Sequence, residues 1–278
     1  MNLNKKLIVI GMVLLIVLWT GNIIYYEKHA IKEPLFIKHY YDVNISGDIF
    51  KLYYVQSINS KDKIINIVLP EIGQQYINFA EYDMGNTNGP YYKLKVLMIN
   101  INNDSNNKIP DEYKNKFITK AKITFSNGKI LNVNLGKIYL YSDKNSSDDL
   151  VQRGVTATTD SNGSTILYAN KDINITGINS GFYDGLKDVL KINIGGVPLS
   201  KITFPIKMKA GETIDVSYAF NFNNRNDIRL NNAYNLTFNI LTEDSQGNKG
   251  SSPCFIDFYP YSSDNININV LKDNKGVE

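Results

Sequence analysis

The stretch Ile214-Asp-Val216-Ser-Tyr218-Ala-Phe220-Asn-Phe222 decides the fold: every even position is large and apolar, and every odd one between them is small or polar. Successive side chains on a β-strand point to opposite faces, so this period of two describes a strand with one buried face. The same parity runs through Ile202-Thr-Phe204-Pro-Ile206-Lys-Met208 and Tyr234-Asn-Leu236-Thr-Phe238-Asn-Ile240. Lys209-Ala-Gly211-Glu212 supplies the glycine of a tight turn between the first two strands and makes them read as a hairpin. Pro205, which has no N–H to give a ladder, places the earlier strand at an edge. The turn Glu243-Asp-Ser-Gln-Gly247-Asn leads to a closing strand over Cys254 to Tyr259.

Moving toward the N-terminus, strands are expected near Asp48 to Ile58, Lys63 to Leu69, Gln75 to Tyr82, Tyr91 to Ile101, Ala121 to Phe125, Ile130 to Leu135 and Lys137 to Tyr141. One hairpin can be argued to its register. A two-residue turn at Asn127-Gly128 would set Ile123 opposite Asn132 and scramble the faces. A three-residue loop, Ser126-Asn127-Gly128 with Gly128 left-handed, instead pairs Ile123 with Leu131 and Ala121 with Val133. The bulged form is therefore expected. Ala121 to Leu135 and Lys201 to Phe220 then look alike, which hints at duplication.

Helix is scarce outside the N-terminus. Pro110 to Phe117 opens with proline and two acids, as a short helix would, and Gly181 to Leu190 could hold another. Many short strands with turn signals and no βαβ rhythm fit a sandwich class. The wholly polar stretch Asp143 to Asp149 separates two such units. The expected fold is mainly β: a single N-terminal transmembrane helix followed by two antiparallel, Ig-like β-sandwich domains, 35–142 and 150–262, and a flexible tail, 263–278.

The helix is carried by Leu7 to Tyr26, an apolar run broken only by Thr20, Gly21 and Asn22. About 20 apolar residues at roughly 1.5 Å each span the hydrocarbon core. Trp19, Tyr25 and Tyr26 cluster at one end, where aromatic rings favour the headgroup layer, and Lys5 and Lys6 stand at the other. Basic flanks stay in the cytoplasm, so residues 1–6 are expected inside, 27–34 form a membrane-proximal stalk, and the remainder is extracytoplasmic. A cleaved secretory signal competes with this reading, because it too has a basic start and a short apolar core. No A-x-A-like site follows, however, and Ile23 to Tyr26 prolongs the apolar stretch, so an uncleaved anchor is expected.

Composition narrows the function classes. The 43% apolar and 12% aromatic content suits a folded core rather than a disordered stalk. The formal net charge is +3, of which Lys5 and Lys6 supply two, and no basic stripe is present, so a nucleic-acid partner is not expected. Cys254 is the single cysteine, which excludes a disulfide scaffold. It shares parity with Ile256 and Phe258 and reads as a small buried hydrophobe. The two histidines, His29 and His39, lie far from it in sequence. The Asn-x-Ser/Thr triplets at Asn44, Asn103, Asn145, Asn162, Asn174 and Asn235 follow from an Asn-rich composition.

No motif assigns a catalytic residue, a cofactor or a metal. Asp143 to Asp149 and Asp160-Ser-Asn162-Gly163 contain hard oxygen ligands without completing a calcium loop. Asp215, Glu243, Asp244 and Asp257 are carboxylates without an evident pair for glycoside hydrolysis. Leu69-Pro-Glu-Ile-Gly73 resembles the L-P-x-T-G sorting signal only in part, since Ile72 stands where threonine is required. It reads as a strand end meeting a proline turn. The remaining candidates are aromatic: the doublets Tyr40-Tyr41, Tyr53-Tyr54 and Tyr91-Tyr92, with Tyr259 and Tyr261. Rings on opposite faces of a strand should leave one of each doublet exposed, giving a patch that could stack on sugars or anchor a protein. The expected function is a membrane-anchored binding or scaffolding module at the cell envelope, attached through Leu7–Tyr26, with an envelope protein or wall polymer as partner. An anchored carboxylate hydrolase or an accessory subunit of a membrane complex are the alternatives.

Overall fold

The structure is a computed structural model that describes residues 3–45, 49–84, 91–101, 110–142, 147–158, 161–222, 224, 226–259 and 266–273. Helix α1, Leu3–His29, contains a segment, Lys5–Lys28, long and apolar enough to cross a membrane. From Leu7 to Ile24 its large apolar side chains are all exposed, Leu14, Ile16 and Trp19 at 58%, 64% and 71%. At its end the Asn59 amide donates to the Tyr26 hydroxyl at 2.7 Å, and the rings of Tyr25 and Tyr26 lie 6.1 and 6.0 Å from that of Tyr91. The stalk expected over 27–34 is short of free chain. Helix α1 runs through its first residues, and Ile31 is already buried in the first core.

Seventeen strands follow among the described residues. The first eight are β1 (Leu35–Phe36), β2 (Lys38–Asn44), β3 (Ile49–Ser57), β4 (Ile64–Val68), β5 (Ile77–Asp83), β6 (Tyr92–Ile101), β7 (Lys116–Phe125) and β8 (Ile130–Tyr141). The later ones are β9 (Leu150–Ala157), β10 (Asn162–Ala169), β11 (Ile173–Asn179), β12 (Leu190–Ile194), β13 (Val197–Pro198), β14 (Ile206–Met208), β15 (Thr213–Phe220), β16 (Asn232–Asp244) and β17 (Lys249–Phe258). A four-stranded sheet, β1-β3-β6-β5, packs on the β2-β8-β7-β4 part of an eight-stranded sheet to enclose one core, with Leu52, Leu97, Ile123 and Ile138 all at 0% exposure. A five-stranded sheet, β13-β12-β15-β10-β9, packs on β14, β11, β16 and β17 to enclose a second, centred on Phe238 and Ile240. The chain is thus a β-sandwich protein built on apolar faces set by period-two alternation.

The hairpin register matches the sequence argument: Ile123 pairs with Leu131, Ala121 with Val133, and Gly128 has φ 82°. Cys254 is buried beside Ile256 and Phe258, and burial pushes its thiol up to about 12. Leu69 and Ile72 are buried around their proline turn, and the Glu71 carboxylate accepts from the Thr119 N–H and hydroxyl at 3.0 Å.

Several expectations are corrected. The sheets are not wholly antiparallel: β2 runs parallel to both of its neighbours, β8 and β16. Alternation fixes which face a side chain takes and carries nothing about the direction of the neighbour. The strands around Lys209 to Glu212 are not a hairpin either. β14 pairs with β11 and β15 with β10 and β12, so that turn crosses from one sheet to the other, and the hint of duplication goes with it. The two strands expected over Ile130 to Tyr141 are one, bent at Gly136 (φ 92°). Pro110 to Phe117 holds only a 3-10 turn, Asp111–Tyr113, before β7 begins.

The flexible tail is corrected over its described part. Residues Ile268–Asp273 form helix α2, and Ile266 and Leu271 are buried in the first core. The apolar spacing of that segment is too short to announce a helix by period alone. Of the polar break at Asp143 to Asp149, residues 143–146 lie outside the described residues. Asp149 itself is buried, accepting from the Thr242 hydroxyl at 2.6 Å and from Lys171 at 2.8 Å.

Candidate functional site

The two cores share a wall, and the wall forks. One edge of β16 pairs with β17 along most of its length. The opposite edge is divided: Asn232 to Asn235 run parallel with Lys38 to Tyr41 of β2, and Asn239 to Asp244 run antiparallel with Ile173 to Asn179 of β11. Between these stretches β2 leaves β16 to continue with β8, and the ladder opens. A buried backbone N–H without a partner costs roughly 1–3 kcal/mol, so a gap of this kind must be filled. Asp42 fills it, its Oδ2 accepting from the Thr237 N–H at 2.8 Å, and the Tyr141 hydroxyl lies 3.3 Å from Thr237 Oγ1. Burial pushes the Asp42 carboxyl up to about 6, against the pull of that N–H.

Above the fork lies a groove. Two depressions of about 720 and 350 Å³ are continuous through Tyr141, Asn179 and Asn239, which line both. The wall from the first half carries Phe117 on β7 with Tyr139 and Tyr141 on β8. Phe117 pairs with Tyr139 across the two strands at 5.1 Å between ring centres, and Tyr139 and Tyr141 lie 6.5 Å apart with planes within 14°. These rings share a face because Ile138 and Leu140, of the other parity, fill the core. The Tyr139 hydroxyl donates to Asn115 Oδ1 at 3.0 Å. Asn115 has φ 59°, a conformation asparagine tolerates better than most residues. The wall from the second half carries Phe182 and the cross-strand pair Asn179 and Asn239. Lys249 and Ser251 of β17 close one end of the groove.

Among the described residues, the tyrosines singled out by sequence do not form a shared surface patch. Tyr41, Tyr53 and Tyr54 are core residues, at 1%, 1% and 0% exposure. Both faces of β3 are covered, Phe36 stacking on Tyr54 at 4.9 Å and Tyr259 lying 5.4 Å from Tyr53, so this doublet exposes neither ring. Tyr40 is half-buried between Tyr234 and Phe182. Tyr91 is half-buried beside the end of α1, and Tyr92 against the first core. Tyr259 donates to Asp257 at 3.0 Å, and Tyr261 lies outside the described residues. The ring row that lines the groove comes from residues the sequence argument passed over. Its signal was the spacing Tyr139-Leu-Tyr141: rings two apart share a face, whereas a doublet divides its rings between faces.

Carboxylates meet in pairs around a cation, Asp149 and Asp244 on Lys171 at 2.8 and 2.9 Å and Asp188 and Asp227 on Arg229 at 2.7 Å. Asp244 is held well below the usual range by Asn248 and Lys171, and Asp257 is raised by burial while accepting from Asn235 at 2.8 Å. Among the described residues no three His, Cys, Asp or Glu side chains gather as a metal site.

The fold and groove define a class, a β-sandwich protein with one N-terminal apolar helix and a cleft where its two halves meet. No protein-family profile matches the sequence, and no curated protein matches it. Among solved structures, the chain is similar to the D00-D0 domain of intimin at 11% identity, covering 82% of this chain and all of that one, with a TM-score of 0.21. It is also similar to the I9-I11 tandem of titin (10% identity, 81% and 66% covered, TM-score 0.19) and to the C-terminal domain of the Streptococcus agalactiae AgI/II polypeptide BspA (8%, 81% and 98%, 0.19). Superpositions this loose carry no functional argument; the sandwich class stands on the strand pairings themselves.

Proposed function

We propose that the chain is a membrane-anchored, extracytoplasmic binding or scaffolding module of the cell envelope, and not an enzyme. The observation that carries this is the state of α1. From Leu7 to Ile24 its large apolar side chains lie exposed, and it ends directly on the first sandwich through Tyr25, Tyr26 and Asn59. In water such a surface would be strongly unfavourable, at about 25 cal/mol for each Å² left exposed. A bilayer is the environment that removes that cost, and Lys5 and Lys6 favour a cytoplasmic N-terminus. The near-neutral surface, and carboxylate pairs held in ion pairs by Lys171 and Arg229, support a role in binding an envelope protein or wall polymer over chemistry on one.

Fractionation of cells expressing the full chain with a C-terminal tag tests this reading. The protein should stay with membranes through an alkaline wash, and protease added outside intact spheroplasts should remove the tag. Release by the alkaline wash, a tag protected from external protease, or a mature N-terminus between Thr20 and Lys32 by mass spectrometry would each overturn it.

A further inference from the structure

We infer that the groove at the fork of the shared sheet binds a linear, uncharged glycan chain, with Phe117, Tyr139 and Tyr141 stacking on sugar faces and Asn179 and Asn239 holding hydroxyls. The inference rests on the reading of the chain as an envelope binding module and names the class of ligand. A sugar ring presents an apolar face of C–H groups and a rim of hydroxyls, and the groove offers the complement of both. Its first wall is the aromatic row on β7 and β8, in which Phe117 is 47% exposed. Its second wall carries the Asn179 and Asn239 carboxamides, which make no hydrogen bond among the described residues. Each carboxamide can accept from one hydroxyl and donate to another. On the floor, Asp42 already accepts from Thr237.

Shape and charge favour a chain over other ligands. Small-molecule sites occupy about 300–1,000 Å³ and enclose most of their ligand. Here two depressions join into an open trough that a single sugar would leave mostly empty. A protein partner would need to satisfy each amide and the carboxylate with a dedicated group, since interface cores are apolar and polar groups buried there without partners are costly. A glycan meets them repeatedly with one type of group. The lining carries one carboxylate, Asp42, and two lysines, Lys114 and Lys249, so it has no strong field to select a polyanion.

Binding by the full chain in detergent micelles tests the inference, with chitohexaose in calorimetry and insoluble chitin in co-sedimentation. Retention on chitin with a heat of binding for chitohexaose is expected. Tyr139→Ala and Asn239→Ala should each weaken binding about tenfold, the scale of about 1.4 kcal/mol. Tyr139→Phe, which keeps the ring, should stay within about twofold. Asn179→Ala, at an exposed position, should weaken binding with an unchanged melting temperature and so separates loss of contact from loss of fold. Tyr168→Ala on β10, outside the groove, should bind as the parent does. No retention and no heat would overturn the inference. So would groove variants that bind like the parent, or a photo-crosslinker at position 239 that joins the chain to a protein in cells without any glycan bound. None of these results touches the membrane fractionation, whose failure would in turn leave glycan binding intact.

Discussion

His39 and Asp42, three residues apart on β2, are both buried and titrate in opposite senses. The His39 ring is fully buried, and its Nε2 accepts from the Tyr53 N–H at 2.8 Å, a bond that only the neutral ring can make. Burial lowers its pKa to about 3, so the unfolded chain binds the proton more readily. Its contribution to stability is complete above pH 6.5 and is lost as the pH falls toward about 3, at about 1.4 kcal/mol per pH unit. Asp42 is raised to about 6, so its contribution is complete below 3.8 and is lost as the pH rises through about 6. Between those limits the two oppose each other. Asp42→Asn keeps an acceptor for the Thr237 N–H and removes the charge. Relative to the parent, it should gain on the order of 3 kcal/mol between pH 4 and pH 7, measured by denaturant unfolding at both. A stability difference that stays constant with pH would show that the carboxyl is not perturbed. His39→Gln should flatten the acid limb of the parent's profile.

Two glycines of the β7-β8 hairpin illustrate what an element reveals in sequence and what it hides. Gly128 was legible because the faces of Ile123 and Leu131 agree only if the loop has three residues and a left-handed glycine, a wholly local argument. Gly136 was not, because its reason lies on another strand. A Cβ there would stand 2.5 Å from the His39 carbonyl oxygen of the parallel strand β2, whereas a Cβ at Gly128 would meet nothing within 4 Å. Both have positive φ, at 82° and 92°. Gly128→Ala should therefore cost about 1 kcal/mol, the strain of a left-handed alanine alone. Gly136→Ala should cost about 2–4 kcal/mol, since β2 must also move. Equal losses in urea unfolding would mean that β2 yields freely. The misread hairpin around Gly211 has the same origin: the turn itself was evident, but which sheet receives each strand is decided by partners far away in sequence. Helix α2 was hidden for a related reason, since Ile266 and Leu271 become core residues only because the first sandwich offers them a place.

At the scale of the whole molecule, the sandwich class was legible from alternation, but the seam that joins the halves was not, and the candidate groove lies on that seam. β16 supplies Ala233 to the first core and Tyr234, Leu236, Phe238 and Ile240 to the second, while β2 gives Tyr41 and Val43 to the first and stacks Tyr40 on Tyr234. Neither strand can leave its sheet without exposing parts of both cores. The halves should therefore unfold together, although chains of this size often unfold in stages. Scanning calorimetry of the full chain in detergent should give one transition for the β-sandwich part, with calorimetric and van't Hoff enthalpies in agreement. Leu52→Ala in the first core and Phe238→Ala in the second, both at positions with 0% exposure, should each remove about 2–5 kcal/mol. If the seam couples the cores, both variants lower the same transition. Two separate transitions, with each variant moving only its own, would mean that the β2-β16 pairing is a hinge and that the walls of the groove can move independently. In the coupled case the spacing between the aromatic wall and the amide wall is fixed before any ligand arrives, which spares binding the cost of ordering them.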